Sequence, residues 1–356
     1  MKNNIKANFW KNKKVFVTGH TGFKGSWLCI ILHMLGAKDT GYSLTPKTKP
    51  NLYNLASVKS LLQKSIIADI NNYQNLFNEI KKSNAEIVFH LAAQPLVRYS
   101  YLNPKETFDT NIAGSLNILE SVRKIKKIKT AVLITSDKVY DNKLNKVFKE
   151  NDSLGGLDPY SSSKVCIEFL FSSYINSFFI NNSRQKLATV RAGNVIGGGD
   201  YSQDRLIPDI FKSSKKFKHV LIRNPKSTRP WQHVLEPLTG YLILAEKLFN
   251  NKLKGINQNW NFGPNIESCK PVKYIATKLA KSLNLKLIIK SEKNSSFKKE
   301  TILLRLNNSK SKRLLKWHPK WSLDESLDKI IEWNKQIKKN NPLDVTKKQI
   351  KEFLNL

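Results

Sequence analysis

Residues Tyr160-Ser161-Ser162-Ser163-Lys164 set a phenol and an ammonium four positions apart. On a helix, positions i and i+4 share one face, so both groups meet the same small volume. A cation beside a phenol favours the phenolate and lowers a pKa that starts near ~10. The expected result is a base usable near neutral pH. Such pairs arise by chance on many helices, so the weight of this one comes from its company. Ser136-Asp137-Lys138 places a hydroxyl, a carboxyl and an amine in a row upstream, and Gly19-His20-Thr21-Gly22-Phe23-Lys24-Gly25 lies earlier still.

Glycines at this spacing have a physical use only between a strand and a helix. Residues 13–18 read as a short buried strand. Residues 26–35 read as an apolar helix stopped by Gly36. In that setting the glycines permit a tight turn, close backbone approach to a pyrophosphate, and close helix packing. The phosphates are expected at the helix N-terminus, on free N–H groups at the positive end of the dipole.

These residues need a frame. Further strands are expected at 40–44, 65–70, 86–93, 129–136 and 187–195. Helices are expected between them at 71–82 and 103–126, with another opened by Asp158-Pro159. Alternation of this kind predicts an α/β, Rossmann-type doubly wound parallel sheet, whose ligands bind at the carboxyl ends of the strands. Ser136, Asp137 and Lys138 close one such strand. Leu91, Ala92 and Ala93 close another, where small side chains leave room for a ring or ribose. Gln94 and Arg98 follow in an expected active-site loop, and residues 142–157 form a polar loop that covers the site.

Ser43 stands near the end of the second strand, where this fold often places an acidic residue for the ribose hydroxyls. Asp39 lies at the opposite end of that strand, so the strand itself leaves NAD and NADP open. Asp69-Ile70 has two readings, an adenine contact or a cap for the next helix. After about residue 195 the alternation weakens and prolines interrupt it. Residues 1–195 are therefore expected to form the cofactor-binding domain, with later segments interleaved. Residues 196–340 are expected to be mainly a smaller, C-terminal substrate-binding lobe, and 341–356 a peripheral tail. Arg205 and Arg229 carry planar forks suited to phosphate oxygens.

The chain of 356 residues suffices for a sizeable core, and 40% hydrophobic content is ordinary for a soluble protein. No apolar run is long enough for a membrane span, and the basic N-terminus lacks a signal-peptide core. Three scattered cysteines favour a reducing, cytoplasmic setting and no structural zinc. The net charge of +34 tempts one toward nucleic acid, but it comes from 52 lysines against nine arginines. Base-edge and phosphate-fork recognition favour arginine. Lysines spread along the whole chain read as solvated surface with weak, salt-sensitive polyanion binding.

Taken in order, Gly19/Gly22/Gly25, Ser136, Tyr160 and Lys164 resemble the extended short-chain dehydrogenase/reductase superfamily. Val17 to Trp27, Thr135 to Tyr140, Asp158 to Lys164, Arg191 to Asp200 and Arg229 to Pro237 resemble the CDP-glucose 4,6-dehydratase family more narrowly. The discriminating feature is Asp137-Lys138, where dehydratases acting on dTDP-glucose carry Asp-Glu. The resemblance implies bound NAD, CDP-glucose as substrate, and a homodimer paired through helices near 104–126 and 159–180. It implies roles as well. Tyr160 is the oxidation base, Lys164 lowers its pKa and holds the ribose, and Ser136 contacts the sugar oxygen. Asp137 is the acid for the departing 6-hydroxyl. Lys138 is the C5 base, or else a partner of Asp137 or a cation for the enolate. Gly19, Thr21, Gly22, Phe23, Lys24, Gly25, Ser43, Asp69, Ile70, Leu91, Ala92, Ala93, Tyr160 and Lys164 are expected at the cofactor. Gln94, Arg98, Asn194, Arg205 and Arg229 are expected at the substrate, with no metal. Two other readings stay open: another nucleotide-sugar dehydratase or 4-epimerase, and a non-catalytic nucleotide- or RNA-binding protein on this scaffold.

Overall fold

Runs such as Val15-Phe16-Val17 and Ile87-Val88-Phe89 are apolar on both faces, a pattern stable only where a strand is covered from both sides. In the computed structural model, which describes residues 5–141, 146–179, 184–217, 219–222, 224–253, 258–289 and 304–356, they lie in a seven-stranded parallel sheet. Its strands are β1 (Lys14–Thr18), β2 (Lys38–Ser43), β3 (Lys64–Ile67), β4 (Ile87–His90), β5 (Thr130–Ile134), β6 (Lys186–Ala192) and β7 (Asn259–Phe262). They stand in the order β7-β6-β5-β4-β1-β2-β3. The expected doubly wound α/β fold is present. From β1 the chain moves outward to β2 and β3, then crosses back to β4 on the other side. The carboxyl ends of β1 and β4 therefore flank a topological switch point.

Side chains alternate between two cores, as strand geometry requires. Val15, Val17, Ile87 and Phe89 face a layer built on Trp27, Leu28, Ile31, Leu238 and Trp260. Phe16 and Val88 face a second layer with Leu76, Ile80, Ile118, Leu119 and Phe171. Helix Leu235–Phe249 and strand β7 come from beyond residue 195 yet complete the first layer and the sheet. A third, smaller cluster with Ile210, Val220, Trp231, Ile275, Leu279 and Leu327 forms the lobe above the strand ends.

The helix expected at 103–126 is present as one continuous run, Pro104–Phe108, a wider turn at Asp109–Ala113, then Gly114–Lys124. Two expectations need correcting. The terminal segment, expected as a peripheral tail, is helix Pro342–Leu354, which buries Val345, Ile350 and Phe353 in the main core because its apolar positions recur on one face. In the loop expected at 142–157, residues 142–145 lie outside the described residues. Much of the remainder is tied away from the cleft: Val147–Phe148 pairs with Arg305–Leu306, and the Asn261 N–H donates to Glu150 Oε1 at 3.0 Å.

Candidate active site

The glycine turn sits on the switch point. Gly19 has φ +75°, and a Cβ there would lie 2.7 Å from the Ala92 nitrogen, just past β4. A Cβ on Gly25 would lie 2.1 Å from the Gly19 carbonyl oxygen. Only glycine fits these two positions. Helix Phe23–Met34 starts at Gly22 with no side chain capping it, so its first N–H groups point into an uncapped cradle. Thr21 Oγ1 lies 2.9 Å from Ser43 Oγ and donates to the Leu44 carbonyl at 2.8 Å, joining the turn to the end of β2.

Beyond β3, Asp69 accepts from the Asn71 N–H at 2.9 Å, but the cap of helix Tyr73–Ser83 is Asn72, which accepts from the Asn75 N–H. The cap reading of Asp69 is thus replaced by a local turn. Ile70 is buried against Gly114. The Phe23 ring reaches Gly197.

Between sheet and lobe lies a cleft of about 1740 Å³. Leu91, Ala93, Arg98, Asn194, Arg205 and Arg229 line it, together with Ser136, Asp137, Lys138, Tyr160 and Lys164. Gln94 does not. Its amide donates to Leu96 O at 3.1 Å and Thr107 Oγ1 at 2.9 Å, and accepts from the Leu96 N–H, so it staples the loop from inside. Arg98 meets Asp204 at 3.5 Å, and Arg205 donates to Asp200 at 3.2 Å. Arg229 is buried and donates to Thr228 O at 3.0 Å.

The chemistry-bearing groups converge at the end of β5. Ser136 opens a tight turn over Asp137–Val139; its Oγ accepts from the Lys138 N–H at 3.2 Å and donates to Asp137 Oδ1 at 3.1 Å. Helix Pro159–Tyr174 starts at Asp158, whose carboxylate accepts from the Ser161 N–H at 2.9 Å. That start fixes the phase that aims Tyr160 and Lys164 at the same cleft.

Electrostatics differ from the sequence expectation at Tyr160. Burial pushes its hydroxyl up to about 12, with Asp137 and Asp158 adding to the rise and Ser136 and the charge of Arg205 pulling it back. Lys164 Nζ donates to the Ile134 carbonyl at 3.1 Å, and burial brings its pKa down to about 8 against the pull of Glu168. Burial raises the Asp137 carboxyl, while Lys138, Ser136, Arg229 and Lys24 oppose it.

One expected residue takes a different place, and one feature escaped the sequence. Lys24 does not stay with the glycine turn: its ammonium lines the cleft and donates to the Tyr241 hydroxyl at 3.4 Å. Burial lowers its pKa to about 7, assisted by Arg205 and Lys164. A lysine inside a motif that otherwise needs small or apolar residues was the available signal. The second is the buried Glu168–Arg191 pair beneath Lys164, legible only as a third member of the 160, 164, 168 stripe. Among the described residues no group of three or more His, Cys, Asp or Glu is disposed to hold a metal, and no helix is long and apolar enough to cross a membrane.

Comparison with known proteins agrees with this geometry. The chain is 45% identical over 359 residues to CDP-glucose 4,6-dehydratase of Salmonella typhimurium, covering 99% of each. It is 26% identical to the human dTDP-D-glucose 4,6-dehydratase, covering 91% of this chain and 90% of that one. Among solved structures, UDP-glucose 4-epimerase of Thermotoga maritima with UDP-glucose superposes with a TM-score of 0.76 at 22% identity, covering 90% of this chain and 98% of that one. The dTDP-glucose 4,6-dehydratase of Bacillus anthracis in complex with NAD gives a TM-score of 0.74 at 22% identity, covering 94% and 99%. Residues 16–330 match the GDP-mannose 4,6 dehydratase family, and the chain belongs to that family, within the extended short-chain dehydrogenase/reductase superfamily.

Proposed function

We propose that this chain converts CDP-glucose to CDP-4-dehydro-6-deoxyglucose and water, with bound NAD. The observation that carries the reading is the acid–amine pair Asp137-Lys138 set beside Ser136 and Tyr160 in one cleft, in a chain 45% identical to a CDP-glucose 4,6-dehydratase. The uncapped glycine cradle, closed to any Cβ at Gly19 and Gly25, suits a dinucleotide pyrophosphate. Leu91, Ala92 and Ala93 leave space beside it, with Thr21, Ser43, Asp69 and Ile70 toward the adenosine end. Held there by Gly19, Gly22 and Gly25, NAD would supply a hydride acceptor for C4 and a hydride donor for C6, and so would not be consumed.

The chain's own residues then have these tasks. A C5 proton is too weak an acid until C4 is a ketone; the anion then spreads as an enolate. Tyr160 takes the O4 proton, and Lys164 favours its phenolate once substrate and cofactor fill the cleft. Ser136 holds O4. Asp137, whose carboxyl pKa burial raises, protonates O6 as it leaves. Lys138 removes H5. Asn194, Arg205 and Arg229 hold the diphosphate, and Arg98 closes the loop side. Gln94 supports that loop and does not touch substrate.

The protein is further proposed to act as a cytoplasmic homodimer without a specific nucleic-acid site. Phe169 and Phe178 are 60% and 50% exposed along the second of the two helical runs expected to pair. Purified protein supplied with NAD and CDP-, dTDP-, UDP- or GDP-glucose tests the activity. CDP-glucose is expected to give the keto sugar fastest, with deuterium at C4 recovered on the methyl group. A 4-epimer formed without loss of water, or deuterium lost to solvent, would overturn it.

A further inference from the structure

Thr18 and His90 stand opposite each other as the last residues of β1 and β4, at the switch point where the cofactor is proposed to lie. His90 is buried and is not among the residues that line the cleft. A buried imidazole needs partners for both nitrogens. Nδ1 lies 2.7 Å from Thr18 Oγ1, and Nε2 lies 2.9 Å from Ser115 Oγ.

The neighbours fix the tautomer. Ser115 gives its single hydrogen to the Asn111 carbonyl at 2.6 Å, so toward His90 it can only accept. Nε2 therefore carries the proton. Burial, aided by the charge of Lys164, pushes the ring's pKa down to about 3, so Nδ1 is bare and accepts from Thr18. Thr18 in turn accepts from the Ala92 N–H at 3.2 Å. The run continues beyond Ser115. Asn111 sits in the wide turn Asp109–Ala113, and its Oδ1 accepts from the Gln94 N–H at 2.8 Å, which orients the amide. Its Nδ2 then donates to Gln94 O at 3.1 Å and to Ser163 Oγ at 2.8 Å. Ser163 donates to the Tyr160 carbonyl at 2.7 Å. Thr18, Ser115, Asn111 and Ser163 are all fully buried. The hydrogens thus point one way, from the end of β1 to the backbone of Tyr160.

We propose that His90 is a positioning residue for C4 oxidation, the link through which the end of β1, where the cofactor turn begins, sets the place of Tyr160. The inference rests on the dehydratase reading. C4 oxidation requires O4 to lose its proton to Tyr160 as C4 loses its hydride, so the phenol and the glycine cradle must keep one spacing. Misplacement of reacting groups by about 1 Å costs on the order of 10²-fold in rate. A neutral ring suits this post, because an imidazolium would set a second cation against Lys164.

The link can be cut without touching the cleft wall. His90→Phe keeps a flat ring and removes both hydrogen bonds. With NAD and CDP-glucose, its kcat is expected to fall on the order of 10²-fold while KM for the sugar nucleotide is unchanged. The isotope effect of deuterium at C4 should rise, since oxidation then limits turnover. His90→Gln returns a donor toward Ser115 and should recover most of the rate. Ser163→Ala cuts the same run at its far end and should show the same split between kcat and KM. The double variant should be no slower than the slower single one, because both substitutions break one linkage. If His90→Phe does not fold, Ser115→Ala takes its place in the series. A folded first variant with wild-type kcat and isotope effect, or losses that multiply in the double variant, overturns the proposal. Wild-type protein that forms no keto sugar overturns the dehydratase reading, and the role of His90 with it.

Discussion

Glu168 and Arg191 close a two-pronged ion pair inside the fold, Nε to Oε1 at 2.9 Å and Nη2 to Oε2 at 2.8 Å. Thr135, Thr189 and Asn259 donate to the same carboxylate, so β5, β6 and β7 are tied to one side chain of helix Pro159–Tyr174. Glu168 lies one helical turn beyond Lys164 and holds up its pKa against burial. The pair is thus both a brace for the strand ends and a counter-charge for the cleft.

Glu168→Gln should expose that double role. It keeps the shape but leaves the Arg191 cation buried without its anion, a change that costs about 3–5 kcal/mol. Urea unfolding is expected to show that loss. In whatever protein remains folded, Lys164 should lose its proton at lower pH, moving the alkaline limb of the rate profile down. Unchanged stability together with an unmoved limb would show the pair to be idle.

Gly25→Ala tests the cradle. Its Cβ would lie 2.1 Å from the Gly19 carbonyl oxygen, so the turn must open. Overpacking of this kind costs about 1–3 kcal/mol, and calorimetric titration should find NAD affinity largely lost. Ordinary affinity in the folded variant would mean that the pyrophosphate lies elsewhere.

Asp137→Asn and Lys138→Met should separate two steps that share one turn. Asp137→Asn leaves C4 oxidation and H5 exchange with solvent, and slows loss of water roughly 10²–10⁴-fold. Lys138→Met should still form reduced nicotinamide transiently but lose H5 exchange. Normal exchange in that variant removes Lys138 as the base and leaves it as a cation near the enolate.

Phe169→Glu places a charge in the exposed apolar stretch of the helical runs expected to pair, and sedimentation should then find monomer in place of dimer. A wild-type monomer removes the proposed pairing outright.

The parts that sequence disclosed were those with local causes. Strand Val15-Phe16-Val17, the glycines after it and the Asp158-Pro159 helix start are each dictated by neighbours a few residues away. The hidden parts depend on contacts across the chain. Gln94 looked like a substrate ligand because it follows β4, yet Thr107 and Leu96 turn its amide inward. The Tyr160 hydroxyl sits high and not low because it is buried, and spacing reveals that a lysine is near but not how deeply the phenol lies. The terminal helix looked polar on average, while its buried stripe at Val345, Ile350 and Phe353 has meaning only against the core it meets.

Lys24 offers a test in which loss of function and gain of stability go together. Its ammonium has the Tyr241 hydroxyl at 3.4 Å as its hydrogen-bond partner and faces Lys164 and Arg205, so the folded protein holds the charge at a disadvantage. Its pKa falls from an ordinary 10.5 to about 7. Between those values the native chain has shed a proton that the unfolded chain still carries, so this site adds stability as pH climbs. Below about 7 both forms are charged and the full penalty is expressed. Lys24→Met removes the charge and keeps a similar stem, so the nucleotide-free variant should be more stable than wild type, as is common when a strained site is relaxed. The gain should be largest below pH 7 and shrink toward pH 10.5, read as the gap between two urea-unfolding series. A gap that stays flat or widens with pH would show that the ammonium sits comfortably in the fold. The same variant should turn over more slowly, since without that cation the Asp137 carboxyl holds its proton more tightly and yields it to O6 less readily.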